Sequence, residues 1–250
     1  MDIVALTALG VGGATVIGAV IGFAFKNLSH RFSDIVLAFA AGIMLAASMI
    51  GLILPSLEYG GNYGIIITIL GIFAGAMVLY LIDRLVPHQH AIEGDSERHT
   101  HSDKVSKIML FVLAIGIHNL PEGIAAGVGF GSGNDAEALL IAGGIALQNI
   151  PEGMVIIAPM LSAGIPPKKT FLYAFLTGLV EVIGTFIGYF SVSVSTVILP
   201  FALAFAGGTM LYVISDEMIP ETHAHGSENG ATFSLLFGFC LMLLFDFVLA

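Results

Sequence analysis

The chain has 250 residues, of which 57% are hydrophobic and only 10% charged. A soluble domain carries roughly 25% charged residues, and a chain of this size cannot bury so much apolar side chain in a single core. An ordinary soluble domain is therefore excluded, and lipid is the environment the composition implies. The formal net charge is −10, and the acids fall into two groups, many in connections and a few inside apolar runs.

A spanning helix needs roughly 20 mostly apolar residues. Eight runs meet that length, so the expected fold is an all-α membrane bundle of eight transmembrane helices, the whole chain 1–250 being one domain. Met1-Asp2-Ile3 opens the first run with no basic leader, so no cleaved signal peptide is expected. Helix 1 lies near 2–25 and helix 2 near 34–57, with Asp34 at one end, Met44 at mid-depth and Glu58 just past the other end. Helix 3 lies near 63–86. A polar loop over 87–105 follows, holding His88, His90, His99 and His101 among acids. Its two His-x-His pairs could bind metal weakly. Helix 4 lies near 106–130, helix 5 near 137–163 and helix 6 near 168–190, the last with Glu181 in its middle. Helix 7 lies near 194–216 and helix 8 near 231–250, the latter carrying Asp246 and the single cysteine, Cys240. One cysteine forms no disulfide framework within the chain. Small residues four apart, such as Gly18 and Gly22 or Gly71 and Gly75, suit close helix packing in lipid.

All eight basic residues lie in or beside the connections after helices 1, 3 and 5. The positive-inside rule then places both termini outside and the 87–105 loop in the cytoplasm. The connection after helix 7 carries no Lys or Arg, and the rule says nothing there. Short connections favour a bacterial inner membrane, crossed many times.

The chain repeats itself. Leu37-Ala38-Phe39-Ala40-Ala41-Gly42-Ile43-Met44-Leu45 resembles Leu203-Ala204-Phe205-Ala206-Gly207-Gly208-Thr209-Met210-Leu211. The match of His118-Asn119-Leu120-Pro121-Glu122-Gly123 in helix 4 to Gln148-Asn149-Ile150-Pro151-Glu152-Gly153 in helix 5 is stronger. Helices 2 and 7 run in opposite directions, as do helices 4 and 5. Opposed repeats around a midplane site mark many secondary transporters.

The paired motifs carry the chemistry. A spacing of four puts His118 and Glu122 on one helix face, and Gln148 and Glu152 likewise. Asn119 and Asn149 sit one residue round. Pro121 and Pro151 lack an N–H and free the carbonyls of Ile117 and Leu147, which is tolerated in lipid where the group lines a cavity or finds another partner. A charge at this depth costs at least ~2.5 kcal/mol on insertion scales. Glu122, Glu152 and Glu181 therefore need a common explanation. Salt bridges fail, because no Lys or Arg lies at that depth. A bound cation also accounts for the neighbouring His, Gln and Asn, which offer free lone pairs. Imidazole with carboxylates suits zinc and its first-row neighbours, and a calcium or magnesium cage would use oxygen alone.

At these residues the chain resembles the ZIP family of divalent-metal transporters, and within it the bacterial ZupT/GufA-like branch. The resemblance covers nearly the whole chain. It rests on the two motifs, on Met44-Leu45-Ala46-Ala47-Ser48 through Leu54-Pro55, on the His-bearing loop, and on Ile219-Pro220-Glu221-Thr222-His223 after helix 7. It implies a two-metal site shared by helices 2, 4, 5 and 6. Met44, His118, Glu122, Gln148 and Glu152 would hold the transported ion. Asn119, Asn149 and Glu181 would form a neighbouring position with Glu122 and Glu152 as bridges. Family members often have His where this chain has Gln148 and Asp where it has Asn149. Glu58 at one end, and Asp216, Glu217, Glu221, His223 and His225 at the other, are candidates for the way in and the way out.

The expected function is transport of Zn2+, and also Cd2+, Fe2+ or Mn2+, into the cytoplasm. The resemblance supplies the direction, alternating access by one helical block sliding on another, and a homodimer. No nucleic-acid partner is expected. Without metal, three clustered carboxylates repel, so some take up protons, and metal release is expected to be linked to proton binding. Two rivals share buried metal ligands. An intramembrane metalloprotease would need H-E-x-x-H, which is absent, so no enzyme is expected. A metal sensor without flux would not need duplicated opposed motifs.

Overall fold

The computed structural model describes residues 2–25, 29–85, 101–226 and 228–249. Among these residues all regular structure is helical, in short 3-10 turns at Gly61–Tyr63, Gly129–Ser132 and Thr196–Ile198 and in eight long rods. They are α1 (Asp2–Ala24), α2 (His30–Tyr59), α3 (Gly64–Leu85), α4 (His101–Val128), α5 (Asp135–Ser162), α6 (Pro167–Val194), α7 (Leu199–His223) and α8 (Glu228–Leu249). Seven rods, all but α4, are long and apolar enough to cross a membrane; α4 has 28 residues. Large apolar side chains face outward, among them Leu6, Phe73, Phe237 and Phe247. Water would penalise a surface of that kind, whereas acyl chains do not.

Local chemistry sets the rod ends. Ser29 caps α2 by accepting from Phe32 N at 3.3 Å, which starts that helix ahead of its apolar run. Asn134 caps α5, its Oδ1 accepting from Ala136 N and Glu137 N at 3.1 and 3.4 Å. Gly133 (φ 74) and Gly164 (φ 81) adopt the left-handed conformation in the turns flanking α5, which glycine takes without a Cβ penalty. These short turns make α4, α5 and α6 antiparallel neighbours. The final residues of the expected polar loop, from His101, are already helical, while its His88, His90 and His99 lie outside the described residues.

Two rods contain wide turns. A π-helical turn over Ser48–Ile53 precedes Leu54-Pro55 in α2, and another over Ile214–Met218 precedes Ile219-Pro220 in α7. Proline removes the N–H that would bond the carbonyl four residues back, and a π bulge lets the helix continue past that loss. The apolar run of α7 ends near 216, yet the helix continues to His223.

The packing is two-fold. Rod α4 packs on α6 as α5 packs on α1, α3 on α7 as α8 on α2, and α2 meets α5 as α7 meets α4. Exchanging α1 with α6, α2 with α7, α3 with α8 and α4 with α5 maps each pair onto its counterpart. Thr15 and Glu181, 166 positions apart, meet across the α1–α6 contact. The same offset relates Gly12 to Gly178, whose backbones approach one another, and Met44 to Met210. Opposed repeats are thus present in the packing as well as in the motifs.

Candidate metal centre

The two motif helices continue through Pro121 and Pro151. The motif glycines bring them against their partners. Gly123 sits on the backbone carbonyl of Glu181, and Gly153 on that of Thr15, each so closely that a Cβ would collide with the oxygen. Small residues permit this approach in membrane helices. It sets both motifs directly over the α1–α6 contact.

The polar groups then meet between α4 and α5. Gln148 Nε2 donates to Glu122 Oε1 at 3.0 Å, joining the two motifs. Asn119 Nδ2 donates to Glu181 Oε1, and Asn149 Nδ2 donates to Glu181 Oε2 at 2.5 Å and to Val11 O at 3.3 Å. Thr15 Oγ1 donates to Glu181 Oε1 at 2.6 Å. His118, Asn119, Glu122, Gln148, Asn149 and Glu181 are all buried, and Glu152 is half-buried.

Five buried oxygens here accept no hydrogen bond: Asn119 Oδ1, Glu122 Oε2, Gln148 Oε1, Asn149 Oδ1 and Glu152 Oε1. All are acceptors. An unmet buried acceptor costs about 1–3 kcal/mol, and such groups are few in native proteins. A concentration of them on two facing motifs has the chemistry of a cation site. Among the described residues no three His, Cys, Asp or Glu side chains converge on one point. An ion here would therefore draw on carboxamide oxygens as well as carboxylates.

His118 turns toward α7, its Nε2 2.8 Å from Glu217 Oε1. Glu217 lies in the π turn of that helix, which carries it to the motif and away from the helix end expected for it. Met44 is fully buried in the central apolar cluster, among residues that include Ala125, Ile141 and Ile145. Glu58 is exposed near the end of α2, and Asp216 is exposed beside Glu217. Glu221 is half-buried within α7.

The two histidines beyond are engaged elsewhere. His223 has Nδ1 2.8 Å from Ile219 O and Nε2 3.1 Å from Thr232 Oγ1, so both ring nitrogens have partners. His225 Nδ1 is 3.1 Å from Oδ1 of buried Asp34, and its ring stacks on His30 at 5.0 Å. The apolar run places Asp34 at a helix end, and nothing in the sequence points to Thr15. A lone threonine in an apolar run gives no signal of its own; only its place opposite Glu181 in the repeat could have pointed to it.

The family model described as ZIP Zinc transporter matches residues 87–246. The chain is 37% identical to the zinc transporter GufA of Myxococcus xanthus over 94% of each chain. It is 36% identical to the zinc transporter ZIPB of Bordetella bronchiseptica, over 93% of this chain and 77% of that protein. It is 37% identical to the zinc transporter ZupT of Chlorobaculum parvum, over 92% and 91%.

Proposed function

This chain belongs to the ZIP zinc transporter family, and on that premise we propose that it carries Zn2+ into the cytoplasm through a site between α4 and α5. It is a metal-ion transporter of the membrane, not an enzyme. The single observation that carries the proposal is the set of five unpartnered acceptor oxygens on the two motifs.

In this reading α4 is the eighth crossing, and the motifs lie near the bilayer midplane. His118, Glu122, Gln148 and Glu152 hold the ion, with Met44 adjoining from α2. Imidazole and carboxylate together favour Zn2+ and accept Cd2+, Fe2+ or Mn2+. The ends of the bundle support an orientation. Arg31, Arg84, Lys168 and Lys169 cluster on the side where α2 begins, α3 ends and α6 begins. That side is cytoplasmic by the positive-inside rule, which leaves both termini outside the inner membrane of a bacterium.

Glu58 near the outer end of α2 attracts the ion. Glu217 takes over His118 as the ion leaves, with Asp216 and Glu221 beyond it on the same helix. Alternating access follows if the group α1, α4, α5 and α6 slides on the group α2, α3, α7 and α8, because the ligands belong mostly to the first and Glu217 to the second. A homodimer would use the exposed apolar faces of α3 and α8.

Zinc influx into proteoliposomes holding a zinc-sensitive dye tests the reading. Saturable influx, abolished by Glu122→Ala and by Glu152→Ala, is expected. A folded intact protein that moves no zinc under a proton gradient of either sign would overturn it.

A further inference from the structure

Glu181 is fully buried in a membrane helix, and what surrounds it differs from what surrounds the other two glutamates. Glu122 and Glu152 each leave one buried oxygen without a hydrogen-bond partner. Both oxygens of Glu181 are occupied: Oε1 accepts from Thr15 Oγ1 and Asn119 Nδ2, and Oε2 accepts from Asn149 Nδ2. The donors are themselves at most 1% exposed. We propose that Glu181 is a positioning residue and not a metal ligand, so that the centre holds one divalent ion, bound through Glu122 and Glu152. The proposal rests on reading that centre as the transport site.

Three arguments converge. The first is geometric. A carboxylate accepts hydrogen bonds and donates none, so both asparagines must turn their amide nitrogens toward it. The second acceptor at Asn149 Nδ2, Val11 O at 3.3 Å, fixes the same orientation independently. Each amide oxygen is thereby sent away from Glu181, and both Asn119 Oδ1 and Asn149 Oδ1 are buried without a partner. Glu181 thus presents two carbonyl oxygens while three of its own four lone-pair sites are taken. To chelate a metal through both oxygens it would have to shed buried hydrogen bonds, each to a donor with no water to replace it.

The second argument is charge. Three oriented donors stabilise one carboxylate without a cation, as buried polar networks do when every member is satisfied. Glu122 and Glu152 then carry −2 between them, which one divalent ion balances. Counting Glu181 the site is −3: one ion leaves −1, the charge that the three donors stabilise, whereas a second would leave +1 with no further anion to answer it in a low-dielectric site.

The third is the residue at 149. Its amide donates to Glu181 at 2.5 Å. An aspartate there would set two carboxylates against each other, and like charges so close cannot both persist without a cation. Asn149 therefore decides whether Glu181 is clamped or released to bind metal. Thr15 completes the clamp from α1, held in place by the backbone contact beneath Gly153.

The test is zinc stoichiometry of the purified chain after equilibrium dialysis, read beside influx in proteoliposomes. One zinc per intact chain is expected. Glu181→Gln keeps one zinc and raises the influx KM, because two misaligned amides weaken the site without removing a ligand. Thr15→Val raises KM roughly three- to tenfold, as loss of one hydrogen bond allows, and Thr15→Ser brings it back. Asn149→Asp gains a second zinc, which a merely structural role for the clamp would not produce. Two zinc ions per intact chain falling to one in Glu181→Gln would overturn the proposal and leave the transport reading standing. If Glu181→Gln does not fold, the intact count and the Asn149→Asp count decide: two in the intact chain, or no gain in the variant, overturns it. Absent binding and absent influx in the folded intact protein would sink the transport reading, and this proposal with it.

Discussion

His118 Nε2 lies 2.8 Å from Glu217 Oε1, and the contact ties the first residue of the α4 motif to the π turn of α7. Neither atom has another hydrogen-bond partner. An imidazole nitrogen cannot serve a carboxylate and a metal at once, so Glu217 competes with the ion for His118. Replacing Glu217 by alanine should tighten zinc binding, lowering KM roughly three- to tenfold as loss of one competing hydrogen bond implies. Maximal influx should fall, because nothing then takes the ring as the ion leaves. KM and maximal rate both unchanged in Glu217→Ala would show that the contact has no part in transport.

The motif glycines make a separate prediction. A Cβ at Gly123 or Gly153 would strike a carbonyl of the partner helix, whereas one at Gly143 meets nothing within 4 Å. Overpacking costs about 1–3 kcal/mol, so Gly123→Ala and Gly153→Ala should each lower Tm in detergent. Gly143→Ala is the control, expected to be neutral or stabilising by up to ~1 kcal/mol on helix propensity. Equal Tm values for the three variants would show that the close approach is not structural.

How far the site could be read from sequence depends on what each residue's neighbours along the chain reveal. A spacing of four and a duplicated motif fix the helix face of His118, Glu122, Gln148 and Glu152, and Gln148 and Glu122 join the two motifs in the structure. Two opposed repeats were legible for the same reason, and α4 packs on α6 as α5 packs on α1. The apolar run places Glu217 at a helix end, whereas the structure has it within α7 and against His118. Hydropathy falls at Asp216 and Pro220, and no sequence pattern announces that a π turn carries α7 on to His223. Thr15 was invisible, since its role exists only through Glu181. Asp34 looked like a rim residue by its position in the run and is 4% exposed, because the chain after α7 folds back over it.

That fold-back gives a third prediction. Asp34 Oδ1 contacts His225 Nδ1 at 3.1 Å, and Oδ2 has no hydrogen-bond partner. His225→Ala should destabilise the protein by about 1–3 kcal/mol by leaving a buried carboxylate without its contact. Asp34→Asn in the His225→Ala background should recover part of the loss, since an amide is less costly to bury than a charge. The measurement is a double-mutant cycle on thermal unfolding. Strict additivity of the two changes would show that the pair is not coupled.

Metal removal supplies the last prediction. A ligand that binds only the folded state stabilises it by about 2.7 kcal/mol at a hundred times its Kd. Five unpartnered acceptors on α4 and α5 are a source of instability that an ion relieves. Zinc at that excess should therefore raise Tm of the intact protein, and a chelator should return it to the starting value. The double variant Glu122→Gln, Glu152→Gln should lose the zinc-dependent rise, because neutral amides do not balance the ion. Its metal-free Tm should stay near that of the metal-free intact protein or above it, since neutral amides carry no charge into the buried site. A zinc-dependent rise of equal size in the double variant would place the stabilising ion elsewhere in the chain, and the two motifs would then need another explanation for their buried acceptors.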